Sequence, residues 1–376
     1  MGKKRIVIFA EKLYGGGVEK ILQIMCRNFD YNRYDLMLYA SRKEEMPIGT
    51  YPGHIKVNYF FDGGNGFMAK VKNKLKLFVY YHFSPSIYYQ LFIRERFDVG
   101  IAFIEGYATR FMSGGPKGMK KIAWLHTDIE NNHWTYVSFR SQKEEKACYQ
   151  VFDKIVCVST VVEKAIQEMF GVENTIVLHN PIETKEIEIL SKSELSLNKN
   201  DDIIRIVSIG SLIPVKGYDR LIRVVKRLIK DGQDPIELII LGEGLDRKSL
   251  EKLIGDNNLG DIISLIGFVD NPYPILKSAD IYVCSSYAEG FNTAITEALI
   301  LGRAIVSTEI SGVREQLGKD GEYGIITDNS EDGLFQGLKK MMEEGNIERY
   351  QRKAMIKGRE FKLDTQMQKI YNVIES

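Results

Sequence analysis

The sequence is poor in the residues that would mark a secreted, metal-bearing or membrane-spanning protein. Four cysteines, Cys26, Cys148, Cys157 and Cys284, are scattered over 376 residues with no CxxC or CxxH spacing. This excludes a disulfide frame and a zinc site of ordinary spacing, and predicts reduced, mostly buried thiols in a cytosolic chain. No Asp-x-Asp pair stands near a strand end, so no metal is expected. The apolar run within MGKKRIVIFAEKLYGGG is about five residues long, too short for a signal-peptide core and suited to a first buried strand. Leu77–Ile93 has 17 residues without formal charge, but His82, Ser84-Pro85-Ser86 and Gln90 interrupt it. A transmembrane helix is therefore excluded there. No internal repeat or low-complexity tract stands out.

What is present is ordinary in bulk and uneven in distribution. An apolar fraction of 44% and a charged fraction of 27% fit a globular chain, and 376 residues suggest two domains. The net charge of +1 hides an asymmetry. Up to Ile182 there are 25 Lys and Arg against 18 Asp and Glu, and from Glu183 on there are 26 against 32. A basic half beside an acidic half suggests different partners for the two, or a chance asymmetry of surface charge. Anionic lipid suits the basic half. Nucleic acid is not expected, because the basic residues do not extend along a groove.

Short apolar runs alternate with amphipathic helical stretches. Strands are expected at Arg5–Ala10, Asp35–Ala40, Val99–Ile104, Lys121–Leu125 and Lys154–Ser159, with a helix at Gly17–Phe29. The pattern restarts with strand Ile203–Gly210, helix Tyr218–Lys230, strand Ile236–Leu241, helix Arg247–Asp256, and strands Ile262–Ile266, Ile281–Ser285 and Ala304–Ser307. Such alternation predicts an α/β fold of parallel sheets covered on both faces. Thr184–Asp202 is polar with no clear strand, which puts the domain join near Asn180-Pro181. The expectation is two facing Rossmann-like domains, residues 1–182 and 183–359, with ligands in the cleft between them. A last helix, about Thr365–Ile374 with its N-cap at Asp364 or Thr365, can pack back on the first domain.

The stretch AEGFNTAITEAL (Ala288–Leu299) places Glu289 and Glu297 on either side of a helix start. Asn292 is a good N-cap for a helix from Thr293. Glu289 then belongs to the loop and Glu297 to the second helical turn. Between them the N–H groups of Gly290, Phe291, Asn292 and Thr293 face a positive helix end, a site for phosphate. A sugar explains carboxylates beside a phosphate, because its hydroxyls donate to carboxylate oxygens. An ordinary helix start with two solvated glutamates has the same spacing. In IGSLIPVKGYDRL, Lys216-Gly217 precedes a helix, where the lysine would neutralise a diphosphate or simply be solvated. In LYGGGVEKIL, Gly15–Gly17 permit close approach of a phosphate or sugar. In WLHTD, His126 follows a strand, as a site residue or a structural one. Two carboxylates could also be a glycosidase pair, but phosphate-binding features surround these.

Together these motifs resemble the retaining glycosyltransferases of family 4, which have the GT-B architecture. The signal is strongest over Ile203–Leu317, in the pair of glutamates eight residues apart, Glu289 and Glu297. Gly16 to Glu19, His126, Asn180-Pro181, Lys216-Gly217, Gly242–Gly244 and Gly267–Val269 support it in the right order. The resemblance implies that Glu289 holds the donor sugar at the reacting carbon and Glu297 takes the ribose hydroxyls. Lys216 and the amides of Phe291, Asn292 and Thr293 would bind the donor diphosphate. Gly16 and Gly17 would pack on that diphosphate or on the acceptor. His126 would touch the sugar or transition state, and Val269 would meet the base through its backbone. The family needs no metal and often acts on membrane-associated acceptors. It usually has an arginine where this chain has Ser211, so leaving-group stabilisation rests more on Lys216 or on a substitute such as Arg314.

The resemblance thus implies a retaining enzyme using a nucleotide-sugar donor, with UDP the expected base, and a lipid-linked or saccharide acceptor. A catalytically silent binding module, a sugar-nucleotide epimerase and a phosphorylase are the alternatives. On the acceptor side, Lys70, Lys72, Lys74 and Lys76 precede the uncharged stretch and Arg94 and Arg96 follow it, with seven Phe or Tyr among its 17 residues. Cations beside aromatics fit a peripheral contact with an anionic membrane on the cytoplasmic side, or a buried helix pair with solvated lysines. Glu105, after the strand Val99–Ile104, is expected to face the cleft and touch acceptor.

Overall fold

The first strand, β1 (Lys4–Ala10), ends in five consecutive buried residues, as a strand covered on both faces must. The computed structural model that contains it describes residues 2–43, 46–61, 66–194, 197, 200, 202–232 and 235–376. The chain divides into two compact units. Unit 1 is Met1–Pro181 together with Asp364–Ser376, and unit 2 is Ile182–Leu363.

In unit 1, β1 is followed by α1 (Gly17–Arg27), β2 (Tyr34–Arg42), β3 (Lys56–Phe61), α2 (Phe67–His82) and α3 (Pro85–Phe92). Then come β4 (Val99–Ala102), α4 (Tyr107–Ser113), β5 (Lys120–Leu125), α5 (Gln142–Tyr149), β6 (Lys154–Cys157), α6 (Thr160–Phe170) and β7 (Thr175–Val177). The strands form one parallel sheet in the order β3-β2-β1-β4-β5-β6-β7. Two strands end earlier than the apolar runs suggest. The run Lys154–Ser159 stops at Cys157 because Ser159 turns to cap α6, its hydroxyl accepting from Val162 N–H at 3.3 Å. The run Val99–Ile104 stops at Ala102, after which Phe103 still donates its N–H to Phe9.

Unit 2 begins with α7 (Thr184–Leu190), inside the polar stretch where sequence shows no element. Its one buried side chain, Ile187, joins Ile182 and Tyr273 in a small apolar cluster. There follow β8 (Ile204–Ile209), α8 (Tyr218–Lys230), β9 (Ile236–Leu241), α9 (Arg247–Asp256), β10 (Ile263–Gly267), α10 (Tyr273–Ser278), β11 (Ile281–Cys284) and α11 (Thr293–Ile300). The unit continues with β12 (Ala304–Thr308), α12 (Val313–Leu317), β13 (Ile325–Thr327), α13 (Glu331–Met341) and α14 (Asn346–Gly358). Its sheet is also parallel, in the order β10-β9-β8-β11-β12-β13. Helices α8 and α13 cover one face in a cluster with Ile206, Leu238, Ile240 and Val283, and α11 covers the other with Val207, Tyr282 and Ile305.

The last helix, α15 (Leu363–Glu375), starts earlier than expected, so Asp364 lies in its first turn rather than at its N-cap. It returns to unit 1. Met367, Ile370, Val373 and Ile374 are buried, Tyr371 stacks on Tyr34 with ring centroids 5.6 Å apart, and Tyr371 donates to Asn28 O at 3.0 Å. Glu375 collects Lys4 Nζ at 2.7 Å, Arg33 Nη2 at 3.1 Å and the Tyr34 hydroxyl at 2.5 Å. The four cysteines are free and buried. Among the described residues no helix is long and apolar enough to cross a membrane.

Candidate functional site

The sheet of unit 2 changes its direction of growth between β8 and β11. The chain lays down β8, β9 and β10 outward, then returns to put β11 on the other side of β8. Connections after two such strands diverge and leave a crevice at their C-terminal ends. The segments that follow them, from Gly210 to Gly217 and from Ser285 to Asn292, carry Lys216 and Glu289.

The two segments are laced together by backbone. Tyr287 N–H donates to Val215 O at 2.7 Å, and Ser285 Oγ donates to Lys216 O at 2.9 Å. Gly217 sits at φ 63°, and a Cβ there would lie 2.3 Å from Ser285 O. Only glycine fits that approach and that conformation, which fixes the Lys-Gly pair. Arg220, in the first turn of α8, donates through Nε to Ser285 O at 2.8 Å and through Nη2 to Ser286 O at 2.7 Å. Its guanidinium lies over the Tyr287 ring at 3.8 Å. Burial pulls its pKa below the ordinary value. Thr308 Oγ1 also donates to Ser286 O, and Asn329 Nδ2 to Tyr287 O. The loop carbonyls are therefore occupied from behind. Sequence reading missed Arg220, Thr308 and Asn329.

On this frame, Glu289 Oε1 accepts from Lys216 Nζ at 2.6 Å, Ser286 Oγ at 2.7 Å and Asn292 Nδ2 at 3.1 Å. Its other oxygen, Oε2, holds no hydrogen bond among the described residues. Burial alone would lower the Lys216 ammonium, but the adjoining Glu289 carboxylate more than offsets this and holds its pKa above the ordinary value. Asn292 caps α11 by accepting from Ile295 N–H at 3.2 Å. It is held by Gln316 Nε2, which donates to Asn292 O at 2.7 Å and to Thr296 Oγ1 at 2.8 Å. The N–H groups of Gly290 and Thr293 have no acceptor among the described residues. Gly312, at φ 76°, leaves room for Phe291, whose ring would lie 2.8 Å from a Cβ there. Glu297 is buried, with the Tyr273 hydroxyl 3.3 Å from Oε1.

Ser211 is exposed, and its O accepts from Ile213 N–H. Arg314 does not replace the missing cation, because Nε and Nη2 grip Glu309 at 3.0 and 2.5 Å. Val269 follows β10 and packs half-buried on the α11 side of the sheet.

Unit 1 has its own switch point, between β1 and β4. Gly15 (φ 100°), Gly16 and Gly17 follow β1, Glu105 follows β4, and His126 follows β5. Gly16 is extended and forms the N-cap of α1, and a Cβ on it would lie 2.3 Å from Glu19 Oε2. A carboxylate thus covers the glycine loop. Glu105, expected to face the cleft, is fully buried, with Oε2 accepting from His126 N–H at 2.9 Å. Burial raises its pKa. The reason is its place at the strand end, where it satisfies the backbone that presents His126. The His126 ring lies against Phe103 and parallel to Trp124. Burial pushes its pKa down to about 3, against a backbone hydrogen bond at Phe103 that raises it. Nε2 is buried and has no partner among the described residues.

This ring should stay neutral throughout pH 5–8. Its depressed folded pKa contributes stability that is full above the ordinary value of 6.5 and declines as pH falls from there toward about 3. Ring carbon–proton shifts of His126 should stay flat from pH 8 to pH 5, and a midpoint near 6.5 would mean that the ring is solvated.

The basic segment forms α2 and α3. Lys70, Lys72, Lys74, Arg94 and Arg96 are exposed. Lys76 is not, because its ammonium bonds Phe60 O and lies over the Phe60 and Phe92 rings. It is a structural lysine and leaves the surface set.

Residues 191–358 match the family described as glycosyl transferases group 1. Among curated relatives, the chain is 33% identical over 188 residues to a Campylobacter jejuni N-acetylgalactosaminyltransferase named for a diphospho-undecaprenol-linked acceptor, covering 49% of each chain. It is 24% identical over 196 residues to the Rhizobium meliloti lipopolysaccharide core biosynthesis glycosyltransferase LpsE, covering 52% of this chain and 55% of that one. The matches span about half the length of these relatives. Among solved structures, Anabaena HepE in complex with UDP and glucose matches with a TM-score of 0.75 at 18% identity, over 99% of both chains. Sucrose-phosphate synthase from Thermosynechococcus elongatus matches with a TM-score of 0.78 at 13% identity, over 99% of this chain and 98% of that one. The fold is GT-B, with two Rossmann-like domains in one chain. The matched residues include Lys216, Ser211, Val269, Glu289 and Glu297.

Proposed function

We propose that the protein is a retaining, metal-independent glycosyltransferase of family 4. It moves a sugar from a UDP-sugar to a lipid-linked or saccharide acceptor in surface polysaccharide or glycolipid assembly. The observation that carries this reading is the Lys216–Glu289 pair at the β8/β11 switch point, beside the first turn of α11. When the glycosidic bond breaks, charge develops on the departing diphosphate. The Lys216 ammonium and the N–H groups of Gly290 and Thr293 are fixed donors for that charge. Glu289 holds Lys216 with Oε1 and keeps Oε2 for a sugar hydroxyl. Glu297 is a buried acceptor suited to ribose hydroxyls.

In unit 1, neutral His126 offers Nε2 to the sugar. Glu19, in the first turn of α1 against the glycine loop, disfavours phosphate there and favours an acceptor hydroxyl. The lipid-linked acceptor in the Campylobacter relative's name supports a membrane-borne acceptor and a place on the cytoplasmic face of a membrane.

A second reading, a silent nucleotide-binding module, is favoured by Ser211 and by the commitment of Arg314 to Glu309. Turnover separates the two, and thermal unfolding with UDP, GDP and ADP tests the donor site that both require. UDP at about a hundred times its dissociation constant should add about 2.7 kcal/mol, and Lys216→Ala should remove the effect. No response to any of the three nucleotides would sink the donor site.

A further inference from the structure

Helix α2 turns its apolar residues away from the protein. At about 100° per residue, Phe67, Met68, Val71, Leu75 and Phe78 share a stripe about 100° wide. All five are exposed, Phe67 by 79% and Leu75 by 62%. Lys70 and Lys74 flank the stripe on one side and Lys72 on the other. The one fully buried residue, Tyr80, points nearly opposite. Ile87 and Leu91, one turn apart on α3, are also exposed. This orientation is held from below. Tyr80 donates to Ser138 O at 2.6 Å, Arg110 donates to Tyr80 O, and Lys76 is tied to Phe60 O. The apolar stripe cannot turn inward without breaking these buried bonds. Between Asp62 and Glu95 the sequence contains no acidic residue.

We propose that the solvent-facing stripe of α2, with Ile87 and Leu91 of α3, inserts into the headgroup region of an anionic bilayer while Lys70, Lys72 and Lys74 contact the lipid charges. An apolar stripe bordered by lysines on a helix lying in the interface plane is the arrangement that such surfaces bind. Charge of one sign over this whole segment selects an anionic surface over a neutral one. The inference deepens the membrane-borne acceptor reading, but it is tested without any sugar nucleotide, so the two can fail separately.

The experiment is co-sedimentation of the full chain with vesicles of phosphatidylcholine containing 30% phosphatidylglycerol, beside pure phosphatidylcholine vesicles. Binding should appear only with the anionic vesicles and weaken as salt rises. Lys70→Glu/Lys72→Glu/Lys74→Glu should abolish it, each lysine removed accounting for about fivefold. Phe67→Ser/Phe78→Ser should also abolish it while the variant keeps the unfolding temperature of the wild type. Equal binding to neutral vesicles would overturn the proposal. So would absence of binding, either from a monomer or from a dimer that Phe67→Ser/Phe78→Ser dissociates in sedimentation velocity; the dimer would assign the face to self-association.

Discussion

Glu289→Gln should lower turnover about 100- to 1,000-fold, the range seen when one fixed electrostatic partner of a transition state is removed. The substitution keeps the shape but turns one acceptor oxygen into an NH2 donor and removes the negative charge that Lys216, Ser286 and Asn292 surround. UDP affinity should change far less, because the ammonium and the α11 amides remain. The measurement is UDP release from whichever UDP-sugar stabilises the wild type, alongside UDP titration calorimetry. Turnover within tenfold of wild type would remove Glu289 from the chemistry. Equal loss of turnover and UDP binding would make it a structural anchor for Lys216.

Truncation after Lys362 should unfold unit 1. The helix it removes buries Met367, Ile370, Val373 and Ile374. At about 1.5–3 kcal/mol each, these four residues alone are worth about 6–12 kcal/mol, against about 5–15 for a whole domain. The ion cluster at Glu375 and the Tyr371–Tyr34 stack go with them. Unit 2 should keep its own transition and its UDP response, since it has its own core. Calorimetry of the truncated chain would then show one transition instead of two. Two transitions at wild-type temperatures would contradict the packing described for α15.

Much of this was readable before any coordinates. Helices at Tyr218–Lys230 and Arg247–Asp256 and the strand Ile236–Leu241 have the bounds that periodicity assigns. There the buried positions recur at regular spacing, seven of them along Tyr218–Lys230 and Leu250 and Ile254 one turn apart in Arg247–Asp256. Elements of three residues, such as β7 and β13, are shorter than any periodicity can resolve. Helix α7 buries only Ile187, so its amphipathic signal is a single residue. Among site residues, Lys216, Glu289 and Asn292 were legible because a loop, a cap and a helix start lie next to them in sequence. Arg220 was not. Along YDRLIRVVKR nothing local separates it from Arg223, which pairs with Asp219 and Glu331 at the surface. Its role is defined by carbonyls about 65 residues away. Glu105 shows the opposite case: a carboxylate at a strand end suggests a ligand, and the partner it has here is the backbone of the next strand's end.

The return of α15 to unit 1 has a consequence for synthesis. Unit 1 is interrupted after Pro181 and resumes only at Asp364, with all of unit 2 made in between. At roughly 5–20 residues per second, the ribosome spends about 10–35 s on the intervening 182 residues. During that interval the sites on unit 1 that receive Met367, Ile370, Val373 and Ile374 stand open on the nascent chain. Unit 2 can complete its core first, although it begins later, and the amino-terminal half is the last to close.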